Sequence, residues 1–229
     1  MAKNVFLGSL KTRARQRGVA EGDGSIDPIE LAALISEYYS ELHALVSDKG
    51  ARYFETEATI TANGASGYAL PSDHLATIGV DMVLSGTTGP RRPVWGPVGP
   101  ADRTYLVGLN TGGPAYFWAE EGANLVLYPT PSAGTYKHLY VPQPTDYSTS
   151  ADATSIDVIN IYGERLILWG VASVIQHKGS ASQQRAVDEY KRAHDELEYW
   201  ACQRSLGQPR YAIPSDVLDA LRCGRWLWR

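Results

Sequence analysis

The chain has 229 residues, a formal net charge of −4 and only two cysteines. That length buries one core, or a core with an inserted subdomain, without disulfide staples, and two cysteines, Cys202 and Cys223, do not support a disulfide framework. The opening "MAKNVFLGSL" has no charged-then-apolar leader, and the longest apolar run, "LILWGVASVI" from Leu166 to Ile175, is about half the roughly 20 residues of a membrane span. A soluble protein of a reducing cytoplasm is expected.

The net charge hides a division. Residues 1–18 hold Lys3, Lys11, Arg13, Arg15 and Arg17 and no acid, a net +5. Residues 204–229 hold Arg204, Arg210, Arg222, Arg225 and Arg229 against Asp216 and Asp219, a net +3, which leaves −12 for the body between. A nucleic-acid-binding domain carries basic charge over a whole face. Basic ends on an acidic body point first to protein contacts.

In chain order, "NVFLGSLKTRARQRG" predicts a short helix that ends at Gly18. Ser25 to Val46 gives the clearest helix start, with Asp27 as cap, Pro28 at the first helical position and Glu30 completing a capping box. Leu31, Leu34, Ile35, Tyr38, Leu42, Leu45 and Val46 then recur at steps of three and four and define its buried face.

From Ala51 to Pro144 short alternating runs separated by Gly and Pro predict a small antiparallel sheet. Residues 85–103, "SGTTGPRRPVWGPVGPADR", are dense in Pro and Gly and read as a surface loop or hairpin tip that reaches a neighbour. In "NLVLYPTPSAGTYKHLYVPQP", Asn124 to Pro144, two short aromatic strands flank a stiff Tyr-Pro-Thr-Pro corner.

Helical periodicity returns at Ser155, where Ile156, Ile159, Tyr162, Leu166, Trp169 and Ile175 share one stripe of a central, nearly buried helix. After Lys178-Gly179-Ser180, Ser182 is the expected cap of a partner helix carrying Ala186, Tyr190, Ala193, Leu197 and Trp200, which makes an antiparallel hairpin. The tail beyond Gly207 ends in Trp226-Leu227-Trp228-Arg229. Tryptophans there either fold back onto their own core or insert into another chain, where Trp and Arg are favoured.

Signs of catalysis are thin. There is no phosphate-cradling glycine motif, the histidines are scattered, the two cysteines lack zinc-site spacing, and "GASGY" around Ser66 is not a nucleophile elbow. Asp73-His74 and Glu120-Glu121 remain as acid–base candidates, but adjacent strand residues point to opposite faces, and Asp73 reads as a turn cap. Tyr105, Tyr116, Trp118, Tyr128, Tyr136 and Tyr140 concentrate in the sheet. Such rings either pack across strands or stack sugars and bases.

The order of these pieces carries the most information: a basic N-terminal helix, a capped amphipathic helix, "YALPSD" at Tyr68–Asp73, the proline-rich loop, Gly113-Pro114 with the aromatic strand after it, "LYPTP" at Leu127–Pro131, and a helical hairpin. Over most of residues 3 to 204 this resembles the head-to-tail adaptor (connector) proteins of tailed bacteriophages. The resemblance implies an α+β fold, an antiparallel bundle of three to four helices carrying an inserted small antiparallel β subdomain and an extended C-terminal tail. Within a single adaptor domain it implies N-terminal helices over 1–50, a β-rich part over 51–145, a helical hairpin over 154–206 and a docking tail over 207–229.

It further implies a structural, non-enzymatic virion protein without cofactors, assembled in the host cytoplasm. Identical subunits, twelve in the usual ring, would dock on the portal protein, extend the DNA channel without sequence-specific binding, and carry tail or neck proteins. Arg222, Arg225, Trp226, Leu227, Trp228 and Arg229 would dock on the portal, and Arg91, Arg92 and Trp95 would form an inter-subunit or tail-contact loop. The alternatives are an aromatic-sheet carbohydrate- or nucleic-acid-binding module, and a cryptic hydrolase using Asp73, His74 or Glu120.

Overall fold

The computed structural model describes residues 3–18, 26–49, 52–107, 112–176 and 180–205. In order, these form β1 (Asn4–Phe6), α1 (Leu7–Gly18), α2 (Pro28–Asp48), β2 (Thr56–Ala62), β3 (Tyr68–Ala69), β4 (His74–Val83), β5 (Arg91–Val94), α3 (Pro100–Val107), β6 (Phe117–Glu121), β7 (Asn124–Tyr128), β8 (Gly134–Pro142), β9 (Ser155–Asp157), α4 (Ile161–Ile175) and α5 (Ala181–Ser205). The class is α+β with antiparallel sheets. Two compact units separate in the chain: a helical one from the residues up to Phe54 and from Pro144 through α5, and a β one over Glu55–Gln143.

In the helical unit α4 is the central element, packed by α1, α2 and α5. α2 starts as its local signals dictate: Asp27 accepts from the Ile29 amide at 3.0 Å and Pro28 opens the helix. Its buried side, with Leu31, Ile35, Leu42 and Val46, meets Leu166, Ile167 and Val171 of α4 and Leu197 of α5 in one core. Two glycines set how closely α2 and α4 pack. A β-carbon on Gly163 would fall 2.6 Å from Leu42 Cδ1 and 2.3 Å from the Val158 carbonyl oxygen, and one on Gly170 would fall 2.4 Å from Tyr38 Cδ1.

Three expectations for this unit are corrected. α4 begins at Ile161, not Ser155, because residues 155–157 pair with β1 as a two-stranded ribbon and Asn160 caps the helix, accepting from the amides of Tyr162 and Gly163. Val5 lies in that ribbon, so the N-terminal helix begins at Leu7. α5 begins at Ala181, with the Ser180 hydroxyl, not Ser182, accepting from the Gln183 amide at 3.0 Å.

The β unit has two sheets where one was expected. A four-stranded sheet runs β2-β8-β4-β5 and a three-stranded sheet runs β3-β7-β6. Ile60, Val80, Val94 and Tyr136 of the first pack against Trp118, Leu125 and Leu127 of the second. Strand alternation turns Phe117, Ala119 and Tyr128 to the other side, where they pack with Val98 and with Leu106 of α3. At one edge Trp95 bridges to Phe117: its amide donates to the Tyr116 carbonyl at 2.8 Å and its carbonyl accepts from Trp118 at 2.9 Å.

Residues 85–103 are correspondingly more ordered than a loop. Only Ser85–Gly89 is a turn; Arg91–Val94 is β5, paired to β4, and Pro100 opens α3. The corner after Tyr128 also joins its surroundings, since the carbonyls of Thr130 and Pro131 accept from Gly112 and Gly64 at 3.0 Å each.

Candidate assembly surfaces

Three of the four acid–base candidates, Asp73, His74 and Glu120, gather in one place. His74 and Thr77 come from β4, His138 and Tyr140 from β8 and Glu120 from β6. Thr77 Oγ1 lies 3.0 Å from His74 Nε2 and 2.8 Å from His138 Nε2, while Glu120 Oε1 lies 3.4 Å from the same His74 Nε2. Asp73 caps no turn with its carboxylate; it accepts from the Tyr140 hydroxyl at 3.0 Å. His138 is 1% exposed and stacked on Tyr140, and its pKa is pushed down to about 4 by burial first and the charge of His74 second, with Glu120 opposing.

This geometry is not a catalytic relay. A carboxylate–imidazole–hydroxyl relay places acid and hydroxyl on opposite ring nitrogens, whereas both contacts of His74 converge on Nε2. The group instead ties the two sheets, since β4 and β8 belong to one and β6 to the other. Glu121 turns away as strand alternation requires, accepting from the Tyr128 hydroxyl at 2.5 Å and pairing with Arg103 at 3.3 Å.

Among the described residues the sheet aromatics form no stacking platform, and the Tyr105 side chain lies outside the described residues. Trp118, Tyr128, Tyr136 and Tyr140 are all buried, and Tyr136 accepts from the Ala115 amide at 2.9 Å. Tyr116 is 45% exposed, with the Arg92 guanidinium 4.8 Å over its ring.

Arg91 and Arg92 lie in β5 at the edge of the first sheet and Trp95 follows it, bridging to Phe117 of the second, each with intramolecular partners. Arg91 pairs with Glu57 at 2.5 Å, and Glu57 also meets Lys137 at 3.0 Å. Arg92 donates to the Ala115 carbonyl at 3.2 Å, and Trp95 is half-buried against the Phe117 cluster. Pro93 between them withholds a donor from the outer edge, a device that keeps an edge strand from recruiting another. Leu84, 56% exposed beside the turn, is a surface residue that sequence reasoning missed. Arg222, Arg225, Trp226, Leu227, Trp228 and Arg229 lie outside the described residues.

The basic N-terminal stretch is tied down. Lys3 and Arg13 both donate to Glu164, which is 2% exposed; Lys11 pairs with Asp152 at 2.7 Å, and Arg17 lies 4.9 Å over the Trp169 ring. On α5, His194, Asp195 and Glu198 approach one another closely enough to share an ion, but Glu198 is already held by Lys49 at 2.7 Å. No described helix is long and apolar enough to cross a membrane.

The family of the chain is given by comparison with family models. The family model described as SU10 adaptor protein matches residues 6–204, from the end of β1 through nearly all of α5. The chain belongs to the SU10 adaptor protein family. It is a phage head-to-tail adaptor, a structural component of the virion that works with head and tail components. Among curated proteins no sequence matches it. The adaptor match ends at residue 204, so the aromatic tail over 207–229 lies outside the matched residues.

Proposed function

We propose that this adaptor closes a dodecameric ring that docks on the portal protein, extends the DNA channel and presents a platform to tail or neck proteins. The family match over residues 6–204 carries the reading. In it the chain acts as one adaptor domain: N-terminal helices over 1–50, a β-rich part over 51–145 inserted into the bundle, a helical hairpin over 154–206, and a tail over 207–229 whose Arg222, Arg225, Trp226, Leu227, Trp228 and Arg229 reach the portal. Arg91, Arg92 and Trp95 then sit where a neighbouring subunit or the tail makes contact.

Physical features support the reading. A ring of identical copies needs rigid faces that meet heterologously, and glycine-seated helix packing and ion pairs onto a buried glutamate provide rigidity in the helical unit. A conduit must not grip DNA, and grip comes from cations that replace counterions on phosphates. In this chain Arg91, Lys137, Arg103, Arg165 and Lys49 are each matched to a glutamate.

The test is negative-stain microscopy of the chain co-expressed with the portal protein of the same phage, at full length and cut back to end at Leu221. A ring added only by the full-length chain supports the ring and the docking tail together. A ring added by both keeps the ring and removes the tail as anchor; no added density with either ends the reading.

A further inference from the structure

We propose that adjacent copies meet side to side through opposite charge on two helices, α1 of one copy lying along α2 of the next. This rests on the ring reading above and names the contact that closes it. α1 carries Lys11, Arg13, Arg15 and Arg17 and no acid, whereas α2 carries Glu30, Glu37, Glu41 and Asp48, no lysine or arginine, and one buried histidine, His43. Within one chain the two charge sets do not satisfy each other. Lys11 is taken by Asp152, and Arg13 shares Glu164 with Lys3. Arg15 reaches the Ile26 carbonyl at 3.2 Å and Arg17 the face of Trp169, and neither meets a carboxylate among the described residues.

The acidic side is left over in the same way. Glu41 accepts from the Tyr190 hydroxyl, and Asp48 lies 4.0 Å from Lys49, which Glu198 holds more closely. Glu30 and Glu37 are exposed and meet no cation among the described residues. Glu30, Ala33, Glu37, Glu41, Ala44 and Asp48 recur at steps of three and four, so they form one stripe on the side of α2 away from its core. The alanines keep that stripe low, which lets a helix approach. At 1.5 Å per residue the stripe is roughly 27 Å long, enough to hold the roughly 18 Å of α1.

The occupant is a second copy because the unmet charges correspond: Arg15 on the exposed side of α1, Glu30 and Glu37 on the exposed stripe of α2. The acidic stripe repels nucleic acid, and a contact for which every copy supplies both halves propagates head to tail, as ring closure demands.

The experiment is native mass spectrometry of the full chain with its portal protein. One variant carries Arg15→Glu, a second carries Glu30→Lys with Glu37→Lys. Each alone is expected to need at least about tenfold more protein to assemble, and their equimolar mixture to recover assembly as alternating copies. Such rescue does not arise from misfolding. Wild-type assembly with either variant unaffected, or with both impaired and no rescue on mixing, overturns this contact and leaves the ring standing. A wild-type chain that stays monomeric with and without the portal removes the ring reading itself and this contact with it.

Discussion

Gly170 of α4 sits directly beneath the ring of Tyr38 of α2, so close that a β-carbon at that position would fall 2.4 Å from Tyr38 Cδ1. Gly163, two turns earlier, does the same under Leu42 and against the Val158 carbonyl. Alanine in a helix interior normally gains up to about 1 kcal/mol over glycine, but here overpacking costs about 1–3 kcal/mol. Gly163→Ala is expected to be the worse of the two, because a backbone oxygen cannot rotate aside as the half-buried Tyr38 ring can. Urea denaturation of both variants checks this; equal or raised stability for Gly163→Ala would refute the close seat.

The α2 start at Asp27-Pro28 was legible because cap, proline and apolar stripe are local signals. What escaped depends on distant partners. Nothing near Ser155 announces a strand, since its partner is Asn4–Phe6 at the other end of the chain. α3 had a readable signal, Pro100 at a first helical position with Asp102 in the first turn, but the surrounding Pro and Gly density masked it. The His74, Thr77, His138 and Glu120 cluster was legible only as separate residues, because three strands of two sheets must meet to form it. The glycine seats were silent because Tyr38 and Leu42 precede Gly163 and Gly170 by more than a hundred residues.

Glu164 offers an asymmetry to measure. Its two cations, Lys3 and Arg13, are partly exposed and stay hydrated if the acid is removed, whereas Glu164 itself is buried. Glu164→Gln is therefore expected to cost about 1–3 kcal/mol. Lys3→Ala with Arg13→Ala strands the carboxylate and is expected to cost about 3–5 kcal/mol. Hydrogen exchange at β1, which this ion group anchors, should speed up in both. An order of severity opposite to this one counts against Glu164 as the buried charge the cations serve.

Acid should weaken the β unit through His138. Burial holds its pKa at about 4 against an ordinary 6.5, so the fold favours the neutral ring and the unfolded chain takes up the proton first. The stabilisation is complete above pH 6.5 and is lost as pH falls toward 4, the loss reaching about 2 kcal/mol by pH 5. His74, Glu120, Thr77 and Tyr140 face the ring, and Glu120 alone opposes the shift. His43 in the helical unit is lowered by burial in the same direction. His138→Gln should lower stability at pH 7 yet flatten its decline between pH 6.5 and 5; an unchanged slope would mean that His138 does not set it.

Gly96 makes the matching close approach in the β unit. A β-carbon there would fall 2.6 Å from Trp118 Nε1 and Cε2, inside the layer where the indole fills the space between the two sheets. Trp118 cannot move aside easily, because it is 2% exposed and packed with Leu125, Leu127 and Tyr136. Gly96→Ala should therefore cost about 1–3 kcal/mol and shift the Trp118 emission. Because the two units have separate cores, amide exchange within α2 and α4 should be unchanged in this variant while that of β6 and β7 accelerates. Equal acceleration in all four elements would mean that the units unfold as one body.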